Sequence, residues 1–289
     1  MERELLMSLL GLGSCLEDAC RRPVRGSYSN LDVLAVLLWA ALNERPVSWA
    51  VDRRNWPLCL WRRLLPSGST VSRRARSPAI TRMIDGVIAM QHVDGDGERT
   101  LIIDGRALVI AWHSADVDAG YGRGRGGKAC GYKLHEITDL CGNCRGYRVE
   151  PLNVAEQTVA RDLIDALGVG EADVLLADAN YDSNELYRCA AEHGLRLIAQ
   201  RRHRDALGVG HRRQHPARLE AIATLEEDPA CLGSRRLIEG VFGTQGNVIG
   251  GLGPLPNHVR GLRRVRLWVG LKLAIDAAHR IRRNQRSAA

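Results

Sequence analysis

A chain of 289 residues and 31.8 kDa with 45% apolar residues has room for about two domains and enough apolar side chains for a buried core, which excludes an intrinsically disordered protein. Its longest apolar run, Leu31 to Leu42, is broken by Asp32 and falls short of the ~18 residues of a membrane span, and Met1-Glu2-Arg3-Glu4 lacks the basic flank of a secretory leader. Forty-one basic against thirty-three acidic side chains leave a net charge of +8, with only Lys128, Lys133 and Lys272 as lysines, which points to a polyanionic partner because arginine forks pair with phosphates.

These features predict an intracellular protein, cytoplasmic and nucleoid-associated, with no membrane partner and with its eight cysteines as thiols. A GC-rich coding sequence explains the preference for arginine over lysine. It explains neither the net sign nor the three basic strips at 52–82, 201–218 and 260–286.

Residues 1 to about 82 read as helical. Leu31, Val33, Leu34, Leu37, Leu38 and Ala41 recur at helical spacing behind Ser29-Asn30, an N-cap signal. Trp49, Trp56 and Trp61 mark a second segment and read as core. Pro66-Ser67-Gly68 followed by hydroxyl residues and Arg73-Arg74 is compatible with the start of a DNA-recognition helix and equally with a plain helical bundle.

The texture changes at Gly95-Asp96-Gly97, which predicts a helical, DNA-binding domain over 1–95 and a second domain over 96–289. Short apolar runs at Thr100–Ile103, Ala107–Trp112, Lys133–Leu140 and Tyr147–Leu152 predict strands, with Cys141-Gly142-Asn143-Cys144 as a hairpin tip. A helix over Asn153–Gly168, a strand over Val174–Ala177, a helix over Ser183–His193 and a strand over Leu195–Ala199 follow. They predict one mixed α/β sheet with helices on its faces. The end of the chain is helical again, with Leu237, Ile238, Val241 and Phe242 in one stripe and a second pattern from Leu262 to Ile281.

Asp104 and Asp178 each follow an apolar strand, so both are predicted at strand ends, where open α/β sheets place ligand chemistry. Two aspartates there can share a hard cation, and two ions about 4 Å apart need a third carboxylate. Glu239 is the candidate, with Arg235 one turn before it on the same helical face. For a lone aspartate at a strand end, capping a turn is the commoner role.

The sequence resembles the DDE transposases with an RNase H-like catalytic domain, and within them the bacterial IS5-like insertion-sequence group. The matching stretches are Ile103-Asp104-Gly105, Gly122 to Gly127 with Gly131 to His135, Leu176 to Asp182, and Arg235 to Phe242. The resemblance implies that Asp104, Asp178 and Glu239 bind two Mg²⁺ ions, with Mn²⁺ as a substitute. It implies cleavage of double-stranded DNA at element ends and strand transfer into target DNA by a homodimer in the DNA complex, without a covalent protein–DNA intermediate. The DNA-binding candidates are Arg73, Arg74, Arg123, Arg125, Lys128, Lys133, Arg201, Arg202, Arg235 and Arg236.

Two positions depart from the pattern. Leu232 and Gly246 stand where such families carry a Tyr seven residues before the Glu and a Lys seven after it. A catalytically silent DNA-binding relic and a general RNase H-like nuclease are the alternative readings.

Other signals are weaker. Gly122 to Lys128 fits G-x-x-x-x-G-K, but Ala129 replaces the Ser/Thr that binds Mg²⁺ and no helix pattern follows, so a flexible Arg-rich loop on DNA is preferred to a nucleotide site. Cys141-x-x-Cys144 has no second ligand pair for zinc. His203, His211 and His215 lie in a basic loop.

Overall fold

The computed structural model describes residues 2–17, 28–60, 65–91, 99–124, 126–167, 173–202 and 214–287. Cys20, Trp61, Gly95 to Gly97, Arg125, His203 and His211 lie outside the described residues. The chain forms two compact units, residues 1–92 with 244–289, and residues 93–243. Where the sequence suggests one division near residue 95, the C-terminal helix packs with the N-terminal helices.

The first unit is built from α1 (Glu2–Glu17), α2 (Asn30–Leu42), the single turn α3 (Val47–Ala50), α4 (Gly68–Arg74), α5 (Pro78–Ala89) and the long α10 (Leu262–Ser287). Ser29 starts α2 as predicted. Its hydroxyl accepts from the Asp32 amide at 3.0 Å while the Asp32 carboxylate accepts from the Ser29 amide at 2.9 Å, a reciprocal capping box. Helix α2 is apolar almost all round because α1, α5 and α10 cover it. Trp39 stacks on Trp49 at 6.1 Å and packs tilted against Trp56 at 5.6 Å between ring centroids, and Trp268 is buried in α10, so these rings are packing groups.

Two charges of the C-terminal basic strip are also interior. Lys272 donates to the Ala41 carbonyl at 2.8 Å and lies over the Trp268 ring, and Arg280 pairs with Asp276 at 2.8 Å, both side chains being buried.

The second unit carries a six-stranded sheet. Its strands are β1 (Thr100–Ile110), β2 (Gly120–Gly124), β3 (Gly127–Asp139), β4 (Cys144–Pro151), β5 (Val174–Ala177) and β6 (Arg196–Ala199). The order is β2-β3-β1-β5-β6, with β4 paired to the same side of β3 as β2. Strands β1 and β3 are antiparallel, while β1, β5 and β6 are parallel.

Alternation sends odd and even residues of β1 to opposite faces. Leu101 and Ile103 join Leu175, Ala177 and Leu197 beneath α6 (Glu156–Leu167), α7 (Asn184–Glu192) and α8 (Pro216–Glu227). Ile102 joins Val174, Leu176 and Ile198 beneath Ile238 of α9 (Arg236–Asn247).

Several expectations change. The two predicted strands at 100–103 and 107–112 are one strand, because β3 pairs continuously from Leu101 to Ile110 across Asp104-Gly105. Asp104 therefore stands in mid-strand and not at a strand end. What ends there is the parallel pairing with β5. The Gly-rich stretch is an ordered hairpin arm, β2, and not a flexible loop. Gly122 lies so close to the Leu152 carbonyl that an added Cβ would sit 2.6 Å from it, which explains the glycine without any phosphate-binding role. A strand and not a helix follows Lys128, so the phosphate-loop reading fails on structure as well. The Cys141 to Cys144 hairpin tip is present, held by Asp139 accepting from Asn143. Leu237, placed in the apolar stripe by spacing, is half exposed.

Candidate active site

The pairing register brings two of the acids together. Ile102 and Leu176 form the last parallel pair, and Asp104 and Asp178 each lie two residues further on along their chains. Both continue the rows that face α9. On that side Arg235, Ile238, Glu239 and Phe242 fall at i, i+3, i+4 and i+7, so the helix that packs Ile238 on the sheet also turns Arg235 and Glu239 towards it. Arg235 joins the acids. Its Nη1 lies 3.5 Å from Asp104 Oδ2 and its Nη2 lies 4.0 Å from Glu239 Oε1.

Among the described residues, the oxygens of these three acids do not all lie within 4.8 Å of one another; Arg235 contacts Asp104 and Glu239 and acts on Asp178 through its charge. Burial differs between them. Asp104 is largely buried, whereas Glu239 is about two-thirds exposed.

Burial pushes the Asp104 carboxyl up to about 6, helped by the Asp178 charge and opposed by the Gly105 amide and Arg235. Asp178 is raised by the same desolvation and by Glu156. It also caps a turn, accepting from the Asn180 amide at 2.8 Å and from the Asn180 side chain at 3.2 Å. The commoner role of such an aspartate is thus realised beside the acidic grouping.

A fourth carboxylate belongs to the surroundings. Glu156, in the first turn of α6, pairs with Lys133 and acts electrostatically on both aspartates. Its sequence signal, an acid in a first helical turn, is shared by many helices. Behind it lie His135 and Tyr181, whose ring nitrogens and hydroxyl are buried without hydrogen-bond partners. Burial and Lys133 push His135 down to about 3, so its ring is neutral. Asp182 anchors the turn after Asp178 through a bidentate pair with Arg218, at 2.7 and 2.8 Å.

Comparison with known families decides what this arrangement belongs to. The model of the transposase DDE domain matches residues 95–275, well over half of the chain. The chain belongs to the transposase DDE domain family. The mixed sheet flanked by helices, preceded by N-terminal helices, agrees with the mixed α/β architecture that the sequence predicts. Among solved structures, the chain is similar to the cryo-EM structure of the piggyBac transposase synaptic complex with hairpin DNA, at 10% identity over 98% of this chain and 74% of that one, with a TM-score of 0.43. The comparison with curated proteins returns no match.

The basic candidates of this DDE transposase chain separate into two groups. Arg73, Arg123, Lys128, Arg202 and Arg236 are exposed, and Arg123 and Lys128 face each other across the β2–β3 hairpin. The others are engaged by protein groups. Arg74 donates to the Tyr28 carbonyl at 2.5 Å and to the Asn30 side chain, Lys133 pairs with Glu156, Arg201 lies 3.5 Å from Glu226, and Arg235 joins the acids. Among the described residues no helix is long and apolar enough to cross a membrane.

Proposed function

We propose that the protein is an IS5-like transposase that cuts double-stranded DNA at the ends of its element and joins the freed ends to target DNA, with Asp104, Asp178 and Glu239 as its divalent-metal carboxylates. The observation that supports this reading is Arg235 standing between Asp104 and Glu239, with Asp178 just beyond the neighbouring strand. The donor set fits Mg²⁺ or Mn²⁺. It is all oxygen, and its two partly buried aspartates are raised by desolvation, a penalty that a nearby dication offsets. When bound, such ions supply activation of the attacking oxygen and stabilisation of the leaving one.

The protein groups have their own tasks. The β1–β3 ladder fixes Asp104, and the turn at Asn180 orients Asp178. Arg235 holds Asp104 and Glu239 near each other and is the guanidinium nearest to an incoming phosphate. Exposed Arg123, Lys128, Arg202 and Arg236 supply phosphate contacts, and the helical domain, with Arg73 exposed on α4, supplies further DNA contact. A homodimer would bring two element ends together.

Asp178→Ala tests the reading with purified protein, end-sequence DNA and Mg²⁺ or Mn²⁺. Loss of both nicking and joining is expected, and undiminished cleavage by the variant overturns the assignment. Leu232 and Gly246 favour a second reading, a DNA-binding relic that retains DNA in a salt-sensitive manner but never nicks it. A general nuclease would cut without element ends and perform no joining.

A further inference from the structure

We infer that Asp165, Cys189 and His193 bind one Zn²⁺ ion that clamps α6 to α7, on the sheet face opposite α9. Cys189 and His193 lie four residues apart on one face of α7 and its C-cap, a chelating spacing, and Asp165 reaches them from α6. One ligand atom from each lies within 4.8 Å of the other two.

The separations match a tetrahedral ion. Zn–S of about 2.3 Å and Zn–O and Zn–N of about 2.0 Å set sulfur and oxygen about 3.5 Å apart, and nitrogen and oxygen about 3.3 Å apart. Cys189 Sγ lies 3.6 Å from Asp165 Oδ1, and His193 Nε2 lies 3.5 Å from the same oxygen.

The histidine ring is oriented for a ligand. His193 Nδ1 is 2.9 Å from the Cys189 carbonyl, which can only accept, so Nδ1 carries the proton. Nε2 is left facing the Asp165 carboxylate at 3.5 Å, the side from which a cation can be shared by both groups. A backbone carbonyl that fixes the tautomer in this way is the usual support for a metal-bound histidine. Sulfur, nitrogen and oxygen donors together select Zn²⁺ over Mg²⁺. The thiol proton leaves to solvent on binding, and the half-exposed Asp165 leaves a fourth position for water. An ion here steadies the helix whose first turn carries Glu156.

The test uses the full-length chain, stripped with a chelator and titrated with Co²⁺. The wild type should develop a thiolate-to-cobalt charge-transfer band with intense visible bands of tetrahedral cobalt, removed by one equivalent of Zn²⁺ and untouched by excess Mg²⁺. Cys189→Ser and His193→Gln should lose the band, and Zn²⁺ should raise the melting temperature of the wild type but not of His193→Gln. Asp104→Asn, Cys144→Ser and Cys231→Ser should keep the band, which separates this site from the acids around Arg235 and from other thiols. Absence of the band in the wild type would mean that Asp165 and His193 form an imidazolium–carboxylate pair, and persistence of the band in Cys189→Ser would assign it to other thiols. Either result overturns the inference.

Discussion

Buried charge is handled in two ways in this molecule. In the helical unit each interior cation has close company: Arg280 and Asp276 are 2.8 Å apart, and Lys272 has the Ala41 carbonyl, the Trp268 face and Glu44. In the sheet unit, Asp104 and Asp178 are partly desolvated, with Arg235 at a longer 3.5 Å from Asp104 and the charges of Arg235 and Lys133 acting on Asp178, and their carboxyls are raised. The first arrangement pairs opposite charges at hydrogen-bond distance. The second leaves its carboxyls raised, a pattern that fits the proposed dication site.

The sharpest way to break this comparison is to remove an acid from each region. Asp178→Ala should lower DNA cleavage by on the order of 10²–10³-fold or more, as loss of a charge-stabilising group does, while leaving the melting temperature nearly unchanged. Asp276→Ala should do the reverse, destabilising the fold by about 3–5 kcal/mol in urea denaturation because it strands the buried Arg280. Equal effects of both changes on stability would erase the distinction.

A pH series sharpens it further. Asp104 titrates near 6 in the folded protein and near the ordinary 3.8 when unfolded, so between these values the native state holds the extra proton. Metal-free wild type should therefore lose stability as pH rises from about 4 to about 6, by on the order of 1–3 kcal/mol. The urea midpoint of Asp104→Asn should lack this component, and Mg²⁺ should offset it in the wild type. The smallest effect belongs to the hairpin, where Lys128→Ala should reduce the slope of log affinity for DNA against log salt by about 1 without altering sequence preference.

The sequence carried the sheet's parallel half well, because Val174–Ala177 and Leu195–Ala199 are apolar runs bounded by turn signals, and Ser183 and Gly194 bracket α7 as capping rules require. Of the site candidates it offered, the fold brings Arg235 to Asp104 and Glu239. The sequence marked the β2–β3 region as a basic hairpin only through the family resemblance and assigned no strand to β2 from the residues, because glycine at positions 120, 122 and 124 is a poor strand former and is retained there for close backbone approach. It split β1 at Asp104-Gly105 for a similar reason, since only pairing with β3 keeps that dipeptide extended. Glu156 and the turned-in Arg74, Arg201 and Lys272 were hidden, because a charged residue in sequence does not declare whether tertiary packing will face it to solvent or to a carbonyl.

The uninterrupted β1 strand has one more consequence. Asp104 is rooted between partners along a continuous ladder, whereas Asp178 sits past its strand's tip and Glu239 rides on a helix facing solvent. On the proposed reading, adjustment to an arriving duplex would come from the latter two, with Asp104 as the stationary jaw of the vice.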